Sequence, residues 1–323
     1  PGGLAAGLTL EIATWSERRA YAVVGWEGAV AVVVALALVV VVRPPRVFVG
    51  ALAAGAALVL ALSVPRPPGE PRLLVIDIGQ GNASLLQDGT DGVLIDAGPV
   101  DGGVVPALRR AGIRRLRSVI LSHPAADHDG GAAGAIDAFP TDLVIDGGTP
   151  GGGPTHDAAI RAARRRGTRV VPARVGQRLS FGRIALRLRW PTARAASASG
   201  DPNDRAAVVE AQIGALRALL PADAEGNVLT TLPNLTADVL IVSHHGSNDD
   251  ALPTVLRRLK PQLAVISLGT PNTYGHPTKA TLGALRDAGV PTLRTDQAGT
   301  IDVRAGPNGG LSVRRIGTIP GER

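Results

Sequence analysis

The chain has 323 residues, enough for one large domain plus a smaller element, with 45% apolar residues but only 2% aromatic, so Ala, Val and Leu must fill the core. It has no cysteine, which excludes disulfides and thiolate metal sites, and no methionine, so residue 1 is not a translation start and the chain is expected to be processed or a piece of something longer. Abundant glycine (41) and proline (25) argue for a loop-rich α/β protein over a helical bundle, and a net charge of +7, almost all arginine, gives modest support for an anionic partner.

In chain order, residues 1–28 read as a membrane-proximal segment. Two apolar runs follow within 29–64: Ala29 to Val42, and Val47 to Val64 with no charge in 18 residues. A bilayer crossing takes ~20 apolar residues, so two such runs joined by Arg43-Pro44-Pro45-Arg46 predict a transmembrane helical hairpin. The alternative is a pair of buried soluble helices. Arginines flank every side of the hairpin, so its orientation stays open. Residues 65–71 form a proline-rich linker, and the remaining domain spans 72–323.

From Arg72 onward short β-rich runs alternate with helical ones. Strands are predicted at Leu73 to Ile78, Ala83 to Gln87, Val93 to Ala97, Ser118 to Ser122, Asp142 to Asp146 and Arg169 to Val175, with helices at Val104 to Ala111, Gly130 to Phe139 and Asp157 to Arg166. A hairpin covers Arg178 to Trp190, and two strands lie between Ala207 and Leu220. The end alternates strand (Val239 to Ser243), helix (Leu252 to Leu259), strand (Leu263 to Leu268), helix (Lys279 to Ala288) and strand (Thr292 to Thr295). Hairpins plus βα units fit two sheets sandwiched between helices.

Three strand ends carry the chemistry. Ser122-His123-Pro124-Ala125-Ala126-Asp127-His128-Asp129-Gly130-Gly131 follows a strand and precedes a helix, which puts His123, Asp127 and His128 on one turn. Imidazole and carboxylate are ligands for zinc or manganese, and a turn lets several converge. Asp223 closes another strand, with a helix-capping role as the alternative. His244-His245-Gly246-Ser247 closes a third. His156 alone lies outside such clusters and reads as a solvated residue at a helix start.

Asp77-Ile78-Gly79-Gln80-Gly81, Leu94-Ile95-Asp96-Ala97-Gly98, the His123 cluster, Asp223 and the His244-His245 pair occur in the order seen in the metallo-β-lactamase superfamily. With Ile266-Ser267-Leu268-Gly269, Asn272, Tyr274-Gly275-His276-Pro277 and Arg294-Thr295-Asp296, the chain resembles the carboxyl-terminal domain of ComEC-type DNA-internalisation competence proteins over Leu73 to Val303. The apolar hairpin is similar to the last membrane helices of that family. The resemblance implies an αββα sandwich and one or two divalent ions, zinc or manganese. His123 would serve one ion, Asp127, His128 and His245 the other, and Asp223 would bridge. Asp77, Asp96 and Asn203 would support from behind, while His244 and His276 would face a substrate phosphate, although the sequence leaves open which of His244 and His245 takes the metal. Ala125 stands where the family has His or Asp, and Asn82 where it has Asp, so the first metal position is expected to be poorly supplied.

The expected activity is phosphodiester hydrolysis in a multi-pass plasma-membrane protein for DNA uptake. Its partners would be DNA, the lipid bilayer and a missing amino-terminal channel part, with rim arginines such as Arg205 or Arg294 guiding the polyanion. The alternatives are a catalytically eroded module that binds DNA or braces the channel, and a membrane-anchored small-molecule phosphodiesterase.

Overall fold

The computed structural model describes residues 68–148, 152–197, 200–306 and 309–317, with Gly50 and Gly55 besides. The segment 1–28, most of the predicted hairpin and the first half of the linker lie outside the described residues. Among the described residues no helix is long and apolar enough to cross a membrane. The chain divides into units Pro1–Arg66 and Pro67–Arg323, and the second is described below.

Its strands form two sheets. The first has eight strands in the order β15 (Leu311–Ile316), β14 (Thr300–Ala305), β1 (Arg72–Val75), β2 (Ser84–Asp88), β3 (Asp91–Ile95), β4 (Arg115–Leu121), β5 (Leu143–Asp146) and β6 (Arg169–Pro172). The second has seven: β13 (Thr292–Arg294), β12 (Leu263–Ile266), β11 (Val239–Ile241), β10 (Leu216–Leu220), β9 (Val208–Ile213), β8 (Ile184–Trp190) and β7 (Arg178–Phe181). Each sheet has an antiparallel part made of hairpins and a parallel part, β3 to β6 in one and β10 to β13 in the other. Within the parallel parts helices make the crossovers: α3 (Ala132–Ala138) and α4 (Pro154–Arg165) in the first sheet, α7 (Leu252–Leu259) and α8 (Lys279–Asp287) in the second. Helix α1 (Val104–Arg110) links β3 to β4.

Strand periodicity explains the four layers. Successive side chains point to opposite faces, so Leu73 and Val75 of β1 pack inward against Ile184, Leu186 and Leu188 of β8, forming the core between the sheets. Leu74, on the opposite face, packs with Leu108 of α1 and Ile136 of α3. Leu219, Leu240 and Ile266 pack against Leu252 and Leu256 of α7 and Leu285 of α8. Strands buried on both faces need unbroken apolar runs, which is how Leu263–Ile266 reads. The architecture is the predicted αββα sandwich.

Most predicted elements are present, with trimmed ends. The first strand stops at Val75 because Asp77 to Gly81 turns away as a loop. Asp127 and His128 belong to a one-turn helix, α2 (Ala126–Asp129), rather than to a turn. The carbonyl of Ala125 accepts from the backbone N–H groups of both His128 and Asp129, at 2.8 Å each. Thr295 opens a helix, α9 (Thr295–Ala298), instead of closing a strand. Strands β14 and β15 were not anticipated.

Candidate metal centre

The carboxyl ends of β4, β10 and β11 come together at one edge of the sandwich, where open α/β sheets bind ligands. The loop after β4 carries His123 and leads into α2 with Asp127 and His128. The loop after β10 carries Asp223, and a 3-10 turn, Ser243–Gly246, carries His244 and His245. Ala222, His244 and His245 hold φ of 52°, 49° and 53°, and Asp96 56°. A left-handed backbone at a non-glycine residue costs roughly 1–3 kcal/mol, and here it clusters at the converging loops.

The Nε2 atoms of the histidines point at two carboxylates. Asp223 Oδ1 lies 3.0 Å from His128 Nε2 and 3.9 Å from His245 Nε2, while Oδ2 lies 3.8 Å from His123 Nε2 and 3.7 Å from His244 Nε2. Asp127 Oδ2 is 3.3 Å from His245 Nε2 and 3.9 Å from His128 Nε2. Two trios have their ligand atoms within 4.8 Å of one another: His123, His128 and Asp223; and Asp127, His128 and His245. A tetrahedral ion with bonds of ~2.1 Å puts its ligand atoms ~3.4 Å apart, so these separations suit coordination.

A test of the fit lies in hydrogen bonding. Buried polar atoms are normally satisfied, yet Nε2 of His123 and of His245 are buried with no hydrogen-bond partner among the described residues, and Nε2 of His128 and Oδ1 of Asp223, also buried and 3.0 Å apart, face each other without hydrogen-bond geometry. Such atoms, divided between the two trios that share His128, fit bound cations. Their far sides are fixed. His128 Nδ1 lies 2.8 Å from Asp96 Oδ2, His245 Nδ1 donates to the Ser267 carbonyl at 2.8 Å, and His123 Nδ1 lies 3.0 Å from Ser122 Oγ, whose hydroxyl donates to Asp96 Oδ2 at 2.8 Å. Such partners fix tautomer and ring orientation.

Electrostatics follow the same plan. Burial and the neighbouring His128 lower His123 to about 4, leaving a neutral imidazole able to ligate. Burial opposes charge on His128, but Asp223 and Asp96 outweigh it and raise its pKa well above the ordinary value. Burial likewise opposes ionisation of Asp223, and its histidine neighbours, His128 first, hold it far below the usual carboxylate range. In this state His128 carries a proton that a divalent cation must displace.

The other predicted residues divide. His245 joins a trio of candidate ligands and His244 does not. His244 Nδ1 lies 2.9 Å from Glu225 Oε1, its ring sits edge-on to His276 at 5.7 Å, and its Nε2 turns toward Asp223. The hydrogen bond to Glu225 raises His244. His276 is lowered, by burial first and then by His244, and its Nδ1 is buried without a hydrogen-bond partner among the described residues. Asp96 Oδ2 meets both His128 Nδ1 and the Ser122 hydroxyl at 2.8 Å. Asp77 Oδ1 accepts from Gly79 N–H at 3.4 Å and the Asp77 N–H donates to the Thr300 hydroxyl oxygen at 3.0 Å, shaping the loop behind the site. Asn203 lies in a 3-10 turn where its N–H donates to Asp201 Oδ1 at 2.9 Å.

Asp223 caps no helix; Glu225 precedes α6 (Gly226–Leu229) instead. Arg294 is engaged by Asp296 at 2.6 Å, and Arg205 bonds the Gly200 carbonyl, so the suggested rim arginines are not idle charges. Ala125 offers only a methyl group. Asn82 holds the site through its backbone, donating to Asp127 O at 3.0 Å and accepting from Gly98 N–H at 2.9 Å. Gly81 beside it runs so close that a Cβ would lie 2.2 Å from Asp127 O.

Two residues differ from the expectation drawn from sequence. His156 is not solvated: it is 4% exposed, with Nδ1 3.4 Å from Asp129 Oδ2 and Nε2 3.0 Å from Asp146 Oδ1. A histidine outside every motif gave no sign of burial. Glu225, two residues after Asp223 in the same loop, was given no role; its spacing was the available signal.

The family model described as the metallo-beta-lactamase superfamily matches residues 76–270. "Competence protein ComA" of Neisseria gonorrhoeae is 31% identical over 77% of this chain and 34% of its own length, and "ComE operon protein 3" of Bacillus subtilis (strain 168) is 31% identical over 71% and 32%. The chain thus spans about a third of the length of these curated relatives. Among solved structures, CmlA, a diiron beta-hydroxylase from Streptomyces venezuelae, matches with a TM-score of 0.51 at 12% identity, over 73% of this chain and 54% of that one, a likeness of fold alone.

Proposed function

The chain belongs to the metallo-beta-lactamase superfamily, and on that premise we propose that it is a divalent-metal phosphodiester hydrolase acting on DNA within a membrane-bound uptake protein of the ComEC type. The observation that carries the hydrolase reading is the group of buried, unsatisfied ring nitrogens and carboxylate oxygen converging from three loops. The substrate class and the membrane setting rest on the competence-named relatives and on the apolar runs within 29–64.

Asp127, His128 and His245 would hold one ion, and His123 with Asp223 would hold or recruit a second, the metal being zinc or manganese. A bound divalent ion supplies a nucleophilic water at neutral pH and relief of charge on phosphoryl oxygens. The chain supplies the rest. Asp223 orients groups on both of its oxygens. Glu225 fixes the His244 ring so that Nε2 faces the site, where it can hand a proton to a leaving oxygen, work worth roughly 10²–10⁴-fold. His276, edge-on to His244, lines the same mouth.

Ala125 favours a second reading, an eroded module that binds DNA without cutting it, because the first position lacks a ligand there. The test uses the full chain in detergent with manganese or zinc, a labelled single strand, a duplex and a chromogenic phosphodiester, and Asp127→Ala as control. Metal-dependent DNA cleavage lost in the control supports the nuclease. Retention without cleavage supports the eroded module, and turnover of the small ester alone points to a small-molecule phosphodiesterase.

A further inference from the structure

The helices over the second sheet cover β10 to β13 but leave β7 and most of β8 open: the apolar layer beneath them includes no residue of β7 and, from β8, only Trp190 at its margin. The uncovered face forms an open groove of about 780 Å³, lined on its sheet side by Arg178, Arg187, Arg189 and Arg217 and walled by the Pro233–Thr236 loop. It lies outside the cluster of metal-centre residues.

The arrangement of charge in it is unusual. Arg189 is bound by Glu210 at 2.5 Å and by the Pro233 carbonyl, and Arg217 by Asp238 at 2.8 Å. Glu210 is also occupied by Thr236 N–H at 3.2 Å. Arg178 and Arg187 stand directly opposite each other across the β7–β8 ladder, both exposed, and neither makes an ion pair among the described residues. Like charges directly opposite on neighbouring strands destabilise a sheet. Glu210 of β9 stands opposite Arg187 on its other side, but that carboxylate is already shared by Arg189 and Thr236, so an anion in the groove would relieve the remaining repulsion and turn it into binding.

We propose that this groove is a docking track for a single nucleic-acid strand, held through its phosphates by Arg178 and Arg187 at a site separate from the metal centre. The groove is concave and walled, which suits an extended chain better than a flat bilayer. None of the exposed large apolar side chains, Val100, Val175, Tyr274, Val313 and Ile316, is among its lining residues, so it lacks the apolar anchors of a membrane-inserting surface. Contacts made to phosphates carry no base information, so binding through Arg178 and Arg187 would be independent of sequence. Strand β8 ends at Trp190, paired with Val208, next to Ala207, whose N–H bonds Ser122 O beside His123. A strand lying along the groove would therefore run toward the edge that carries the metal ligands. The identity of the polyanion rests on the proposed function; the existence of an anion track does not.

The test compares the full chain with the double variant Arg178→Gln/Arg187→Gln in detergent with chelator present, following anisotropy of a labelled 20-nucleotide oligothymidylate at several salt concentrations. Single strands lose affinity with a log–log salt slope of ~−0.7 per phosphate contact, so the variant should bind about tenfold more weakly at 0.1 M salt, with a slope shallower by ~1.4. Thermal stability should hold or rise, because a repulsive pair is gone, and Arg178→Lys/Arg187→Lys should keep most of the binding. Equal affinity and slope in the glutamine variant overturn the proposal. So does a charge-dependent association with phosphatidylglycerol mixed micelles that this variant loses while oligonucleotide binding is untouched. Hydrolysis of a small phosphodiester reports separately. A chain that cleaves nothing but loses oligonucleotide binding in the variant keeps the track and sinks the nuclease, and a chain that cleaves DNA with unaltered binding sinks the track alone.

Discussion

At the residue scale, His156 shows how a side chain without a motif can hold a site together. Its ring lies between Asp146, at the end of β5, and Asp129, the last residue of α2, so it ties the loop after β5 to the turn that carries two ligands. Burial opposes its charge, but Asp129 and Asp146 outweigh that and raise it to about 9. A group whose folded pKa is raised stabilises the fold fully below its unfolded pKa of ~6.5 and loses that contribution as pH climbs through the folded value. Stability of the metal-free chain should therefore fall between about pH 6.5 and 9, by roughly 3 kcal/mol at most. Denaturant titrations across that range check it, and His156→Asn should flatten the dependence. A second residue separates proton handling from folding. Glu225→Ala, which frees the His244 ring, should lower kcat by about 10²-fold while KM and metal affinity stay as they are; an equal loss of metal affinity would show Glu225 to be structural instead.

At the scale of elements, much was legible because period and chemistry coincide. Apolar runs such as Leu263–Ile266 gave the buried strands, and glycine next to a His-Asp cluster gave the loops. Strand β14 has no apolar run to announce it, because Asp302 and Arg304 interrupt the pattern, yet Asp302 is 1% exposed, its carboxylate held by Arg72 at 2.9 Å and Arg304 at 2.8 Å. A charge neutralised by a distant partner cannot be seen in a local window. The helix α2 was missed for a similar reason: four residues show no helical period. Its start offers a test. Ala125 precedes it with an extended backbone (φ −144°, ψ 133°) and gives no side-chain cap. Aspartate suits that position, and a gained cap is worth about 1 kcal/mol. Ala125→Asp should raise the melting temperature slightly and increase occupancy of the position near His123, read as a second equivalent of metal in calorimetry. If neither stoichiometry nor activity moves, the account of an under-supplied first position fails.

At the scale of the whole domain, the ligands come from both halves of the sandwich. His123, Asp127 and His128 follow β4 of the eight-stranded sheet, whereas Asp223, His244 and His245 follow β10 and β11 of the seven-stranded one. The sequence showed three strand ends bearing ligands, but not that they belong to two sheets, because register between distant strands is set by packing of the shared core. An ion at this edge would cross-link the sheets as well as serve chemistry. Binding to the folded state alone stabilises by RT ln(1 + [L]/Kd), about 2.7 kcal/mol at a hundredfold excess over Kd. For a domain of this size that corresponds to a rise of roughly 5–10 °C in Tm. Manganese or zinc should produce that rise in the full chain, and a chelator should reverse it. His245→Ala, which leaves this ion ligands from the first sheet alone, and Asp127→Ala, which leaves it only two imidazoles, should each abolish the response. Binding should also release protons, because His128 is charged in the metal-free chain and must give up its Nε2 proton to ligate. Calorimetry in buffers of different ionisation enthalpy measures that release directly. A metal response that survives both alanine variants would place the ion elsewhere and remove the physical basis for reading this edge as the catalytic one.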